Sequence, residues 1–163
     1  MINFFIILGI IILICFTFVC FLGAPYVPTR KKWAIDALDL VKLDSEDLVI
    51  DLGSGSGAIL KIISKRSIPV IGYELNPILW FISKLRFIFS KNTKVKLVNF
   101  WKENLPDKTS VVYVFALDRD AKKLEEYFEE QSKNRSIKVI TFGFKLPNKK
   151  EKKHTKGAFL YYF

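Results

Sequence analysis

The stretch Val49-Ile50-Asp51-Leu52-Gly53-Ser54-Gly55-Ser56-Gly57 narrows the possible folds more than any other part of the chain, together with Gly72-Tyr73-Glu74. An apolar run of β-type residues ends in an acid and a glycine-rich turn, and a helix-like segment follows. A second apolar run, Pro69-Val70-Ile71-Gly72-Tyr73, ends in a carboxylate about twenty residues further on. Strand, glycine turn, helix, strand and acid in that order predict a βαβ unit, with a nucleotide-type site at the carboxyl ends of its strands. The glycines let the backbone turn sharply and approach a ligand, and Glu74 is placed to accept two ribose hydroxyls.

The spacing is GxGxG behind an acid, Asp51, and not the GxGxxG of dinucleotide enzymes. It resembles motif I of class I S-adenosylmethionine (SAM) methyltransferases. That resemblance implies SAM as cofactor, with its methionine part wrapped by the turn from Gly53 to Gly57 and its ribose on Glu74. The helix expected over residues 58–65, with Ile59, Leu60, Ile62 and Ile63 facing inward, opens on an amide-rich end that suits the SAM carboxylate.

Ahead of this unit, no charged side chain occurs from Met1 to Thr29, and the first twenty-two residues are almost all Ile, Leu, Phe and Val. About twenty apolar residues can span a bilayer as a helix. The segment has no clear basic start or A-x-A-like cleavage site of a secretory signal, although Gly23-Ala24 are small enough to leave cleavage open. Arg30-Lys31-Lys32 follow it directly and would hold the C-terminal side in the cytoplasm. The expectation is a transmembrane anchor over residues 1–24 and one small soluble domain over 25–163, a single-pass membrane protein with its domain in the cytoplasm. About 135 residues then remain for the fold, enough for one domain. Cys15 and Cys20 fall on different faces of such a helix, so neither a disulfide nor a metal site is expected.

Gly23-Ala24-Pro25-Tyr26-Val27-Pro28-Thr29 reads as an extended linker, since each proline disfavours helix just before it. Thr29 is placed to cap a helix carrying Trp33, Ile35, Ala37, Leu38, Leu40 and Val41 at helical spacing. Pro-Tyr-Val-Pro-Thr, then Asp-Leu-Gly-Ser-Gly-Ser-Gly, then Gly-Tyr-Glu-Leu-Asn-Pro, behind one apolar span, is similar to the family of the ATP synthase c-subunit lysine methyltransferase. Those are small, membrane-anchored class I enzymes, and the likeness runs from about Pro25 to Pro77, more loosely beyond. It implies a protein-lysine N-methyltransferase acting on a membrane or membrane-adjacent protein.

The implied cofactor set is Thr29, Asp51, Gly53, Ser54, Gly55, Gly57, Glu74, Leu75, Asn76, Asn99, Phe100 and Trp101. Asn99 stands where the family has an acid near the adenine amino group. An amide still accepts a hydrogen bond there and adds a donor. Trp101 either flanks the adenine or packs.

The helix expected over residues 78–89 is rich in Trp80, Phe81, Leu85, Phe87, Ile88 and Phe89, which favours burial in the core over contact with a membrane. Strands are expected over 95–98, 110–115 and 137–144, the last less buried than the first. A charged crossover helix is expected over 119–133, and an antiparallel edge strand over 158–163. The fold class is therefore α/β, a small Rossmann-like sheet that is mostly parallel. After the fourth strand, Ala116-Leu117-Asp118-Arg119-Asp120 lacks the Asn-Pro-Pro-Tyr type motif of nucleic-acid amino-methyltransferases. Asp118 and Asp120 either orient a substrate lysine or begin the next helix as cap and first-turn acid.

The net charge of +10 points to an acidic partner surface. From Lys145 to Lys156 the chain carries six lysines and His154, read as a loop. It is either solvated or holds anionic lipid headgroups, at about 1 kcal/mol per lysine. Nucleic acid ranks last because no aromatics interleave the basic residues. Two readings of other classes stay open, a nucleic-acid or small-molecule methyltransferase and a non-catalytic membrane-tethered module.

Overall fold

Strand β1 (Leu48–Leu52) lies inside the sheet because it is apolar on both sides, and all but its first residue are buried. Parallel strands covered on both faces need such runs, and β4 (Thr109–Phe115) and β5 (Lys138–Phe142) are of the same kind. The structure is a computed structural model that describes residues 2–22 and 31–163. With β2 (Val70–Glu74), β3 (Thr93–Leu97), β6 (Lys153–Thr155) and β7 (Ala158–Tyr162), it contains a seven-stranded sheet in the order β3-β2-β1-β4-β5-β7-β6. The first five strands are parallel. Strand β7 runs antiparallel to both β5 and β6. The order reverses between β1 and β4, and such a reversal is where open α/β sheets bind ligands.

Helices α2 (Lys31–Leu38), α3 (Ala58–Ser64) and α4 (Pro77–Arg86) share a sheet face, with Val49, Val70, Val111 and Ile140 beneath them. Helix α5 (Ala121–Gln131) covers the other face, burying Leu124 and Phe128 among Ile50, Val112, Val139 and Tyr161. Asp39, just past α2, pairs with Arg66, just past α3, at 2.9 Å. Both helices therefore end at the start of the strands and begin at the strands' carboxyl ends.

Several expectations are corrected. Helix α1 (Ile2–Leu22) forms, but among the described residues no helix is long and apolar enough to cross a membrane. The expected anchor and the single-pass location with a cytoplasmic domain are overturned with it. The 23–29 linker, Thr29 included, lies outside the described residues, as do the side chains of Cys15 and Cys20.

The 78–89 segment is not core on all sides. Leu79 and Ser83 are buried, but Phe81, Ile82, Leu85, Ile88 and Phe89 are exposed, Phe89 at 95%. The helix stops at Arg86, and in the turn after it Phe87 packs on the core while Ile88 and Phe89 face outward. Strand β5 is as buried as β1, because α2 and α5 close over its two faces.

The lysine-rich stretch is not a free loop. It ends in strand β6, so β7 lies inside the sheet and β6 forms the edge. Buried Glu125 on α5 accepts both the backbone and side-chain N–H of Asn148, each at 3.1 Å. The Tyr161 hydroxyl accepts from Leu146 N, and Lys145 and Lys149 sit over the rings of Phe159 and Phe163.

Candidate functional site

Beyond Leu52 the chain leaves the sheet in a turn that folds back over β2. Gly53 N and Ser54 N both donate to Tyr73 O, each at 2.9 Å, and Gly57 N donates to Ser54 O. This close return depends on Gly72, beneath it on β2: a Cβ there would lie 2.6 Å from Ser54 Oγ and 2.7 Å from Leu60 Cδ1. The turn ends at Gly57, whose φ of +84° is strained for any side chain. A Cβ there would also meet Phe87 Cε2 at 2.6 Å and Ser83 Oγ at 2.7 Å. Arg86 Nη1 donates to Ser56 O from outside at 2.5 Å. The turn is thus clamped between β2 and the far half of α4.

Glu74, at the end of β2 and buried, faces the turn and not solvent. Its Oε2 accepts Gly55 N at 2.6 Å and its Oε1 accepts Asn76 N at 2.7 Å. Each oxygen keeps a further lone pair for a ligand hydroxyl. Asn76 in turn caps α4, its Oδ1 accepting Ile78 N at 2.9 Å and Leu79 N at 3.2 Å, ahead of Pro77 in the first turn. Leu75 between them is half-buried.

Two buried carboxyls thus stand near the turn. Burial pushes Asp51 up to about 8, and the charge on Glu74 adds to the rise. Glu74 is itself raised by burial, against the amides of Asn76, Gly55 and Leu75 that favour its charged form. Asp51 shares its register position with Gly72 on one side and Tyr113 on the other. Asp51 Oδ2, Ser54 Oγ and the Tyr113 hydroxyl are buried without a hydrogen-bond partner among the described residues.

A cationic, hydroxyl-bearing ligand suits this donor set. It relieves the repulsion between the carboxyls and gives the orphaned oxygens a partner. Space for it exists over Gly53, where a Cβ would meet nothing within 4 Å. SAM, with its sulfonium, ammonium and ribose hydroxyls, has this chemistry, and the residues fit it.

Of the residues singled out in the sequence, the structure joins Asp51, Gly53, Ser54, Gly55, Gly57, Glu74 and Asn76 into one cluster at the ends of β1 and β2. Asn99 follows β3, and its Oδ1 accepts Trp101 N at 3.2 Å to start a single 3₁₀ turn. Trp101 has a packing environment: its ring lies 4.6 Å from that of Phe100 and 6.2 Å from that of Tyr127, with Lys123 Nζ 4.1 Å over its face. Asp118 is exposed and Asp120 half-buried, on a 3₁₀ turn between β4 and α5. Neither side chain caps a helix, and Asp120 pairs with Arg119 at 3.5 Å. Tyr113 belongs to no motif. The alternation Val111, Tyr113, Phe115 along β4 is the pattern that puts it on the face of Asp51.

Residues 51–153, well over half of the chain, match the family described as ANTKMT methyltransferase domain. The ATP synthase c-subunit lysine N-methyltransferase of Xenopus laevis is 28% identical over 127 residues, covering 76% of this chain and 55% of that protein. Its Mus musculus counterpart is 29% identical over 126 residues, covering 76% and 50%. The chain therefore spans about half the length of the curated relatives it matches. Among solved structures, an RNA methyltransferase from Salinibacter ruber in complex with S-adenosyl-L-homocysteine superposes with a TM-score of 0.75. It is 21% identical and covers 84% of this chain and 92% of that one. A dimethyladenosine transferase from Plasmodium falciparum has a TM-score of 0.62 at 15% identity, covering 72% and 43%. At these identities the two structures show the fold alone.

Proposed function

We propose that this chain, which belongs to the ANTKMT methyltransferase domain family, binds SAM over the turn from Gly53 to Gly57 and transfers its methyl group to a lysine of a protein. The observation that carries the reading is the pair of buried carboxyls, Asp51 and Glu74, around a glycine turn with open space above it. The target named for the curated relatives is the ATP synthase c-subunit, and a protein of that membrane-embedded kind is the first candidate here. The catalytic unit is assigned to residues 25–163.

In this reading Glu74 binds the ribose through its remaining lone pairs, while Gly55 N holds the carboxylate in place. Asp51 and Ser54 face the charged methionine end, Leu75 and Asn76 border the ribose, and Asn99 with Phe100 edges the adenine. When bound, SAM supplies an electrophilic methyl group on a sulfonium. The protein's part is to hold a neutral amine in line with it, exclude water and let the amine's proton leave. Such a displacement draws mainly on positioning. Asp118 and Asp120, beside the acceptor end, attract the incoming ammonium.

Calorimetric titration of the chain with SAM and with S-adenosylhomocysteine tests the first half of the reading. Binding that is lost in Glu74→Ala supports it, and no binding to a folded chain overturns it. Transfer of tritium from labelled SAM into the purified ATP synthase c-subunit, retained after mild base and lost on Lys→Arg at the target, tests the second half. Label that enters RNA instead overturns the protein assignment.

A further inference from the structure

The ends of β4 and β5 carry a feature that the cofactor reading does not use. Phe115 closes β4 and Phe142 closes β5. They are register partners with ring centroids 6.3 Å apart, on the face covered by α2. Leu52 pairs with Val114, so Phe115 stands one step on, beside Gly53, the open position of the glycine turn. Trp33, in the first turn of α2, packs on the same cluster. Because α2 begins at the carboxyl ends of the strands, Trp33 belongs to that end as well.

Lys156, in the turn between β6 and β7, sets its Nζ 6.0 Å from the Trp33 ring centroid. The next residue, Gly157, lies over Phe142, where a Cβ would be 3.8 Å from Cζ. Three aromatic rings therefore gather at this end of the sheet, Phe115 beside the cofactor turn and half-buried like Trp33, Phe142 buried behind them, with an ammonium of the chain already over one of them. A distance of 6.0 Å is at the outer limit of useful cation–π attraction. Lys156 is exposed, so it is weakly held and easily replaced.

Aromatic faces attract an ammonium and pack the aliphatic stem of a lysine. They also withdraw the head group from water, which favours loss of its proton. Methyl transfer needs both.

We propose that Trp33, Phe115 and Phe142 form the slot that receives the target lysine side chain, and that Lys156 is its intrachain occupant, displaced when the substrate binds. The proposal rests on the methyl-transfer reading above. The probe is a SAM analogue in which nitrogen replaces the sulfonium sulfur and carries a four-carbon arm ending in an ammonium, at the place of the methyl group. It is titrated into the full chain beside S-adenosylhomocysteine.

The arm is expected to raise affinity about tenfold over S-adenosylhomocysteine. Trp33→Leu and Phe115→Leu are expected to remove that gain and leave the affinity for S-adenosylhomocysteine unchanged. Lys156→Gln, at an exposed position that does not risk the fold, is expected to enlarge the gain severalfold. Equal affinity of the two compounds for the unaltered chain overturns the slot, as does a gain that survives both aromatic substitutions. A gain unchanged in Lys156→Gln overturns the occupant. If S-adenosylhomocysteine itself fails to bind, the cofactor reading falls, which is a different result.

Discussion

The carboxyl ends of β1 and β2 and those of β4 and β5 lie side by side on one sheet, yet they are built from different materials. The first is backbone: a turn whose amides bond Tyr73 O and Glu74, with Gly57 and Gly72 where any side chain would collide. The second is made of side-chain faces, Phe115 and Phe142 on strands and Trp33 on a helix, none of which needs a special dihedral angle. A site made of backbone has one geometry, and a single added atom damages it. A site made of rings keeps its fold when altered and changes its preference for ligands.

Gly72→Val should break the contrast hardest. Its side chain would meet the Ser54 turn and Leu60 inside van der Waals contact. The overpacking should cost about 3 kcal/mol of stability and abolish SAM binding, seen in thermal denaturation and calorimetry. An unchanged melting temperature would mean that the turn does not need its seat on β2. Glu74→Ala should come next, lowering SAM affinity about a hundredfold. It also leaves the N–H groups of Gly55 and Asn76 without acceptors, at about 2 kcal/mol of stability. A variant that unfolds normally but binds SAM as before would remove Glu74 from the site.

Asp51 sharpens the comparison through pH. In the fold its carboxyl keeps its proton to about pH 8, whereas in the unfolded chain it releases it near pH 4. Between these values the unfolded state loses a proton that the folded state retains, so this group's contribution to stability is full below pH 4 and falls as pH rises to 8. Asp51→Asn should flatten that fall by several degrees of melting temperature across the window. A bound cation should lower the Asp51 pKa, so SAM affinity in the unaltered chain should rise with pH over the same range. Affinity that is flat with pH would place the cation elsewhere. The smallest effect belongs to the other end: Asp118→Asn and Asp120→Asn should raise KM for a protein substrate about threefold, with kcat preserved, since exposed charges steer weakly. A large loss in kcat would make one of them a base.

The same contrast explains what could be read from the sequence. The β1 turn, Gly72 and Glu74 are legible because backbone geometry permits few residue types, and they are spaced as a βαβ unit requires. A mostly parallel sheet with an antiparallel last strand is also expected from the sequence, but β7 is not the edge, because β6 pairs with its outer side. Trp33, Phe115 and Phe142 are not legible as a group. An aromatic in a helix or strand looks like core until topology places three of them at one end of a sheet. The exposure of Phe81, Leu85 and Phe89 escapes for the same reason, since apolar composition does not say which face meets the sheet. The lysine-rich stretch reads as loop because the acceptors that fix it, Glu125 and Tyr161, lie far away in sequence.

Both margins of the sheet end in short strands bearing lysine: Lys94 and Lys96 on β3, and Lys153 on β6. An outer strand presents a row of unsatisfied amides and carbonyls on which another copy could polymerise. Here any copy that approached edge to edge would bring ammonium against ammonium. Part of the +10 net charge therefore guards the margins of the sheet. At molar salt, where charges are screened beyond about 3 Å, concentrated protein should assemble into ribbons detectable by thioflavin fluorescence and light scattering.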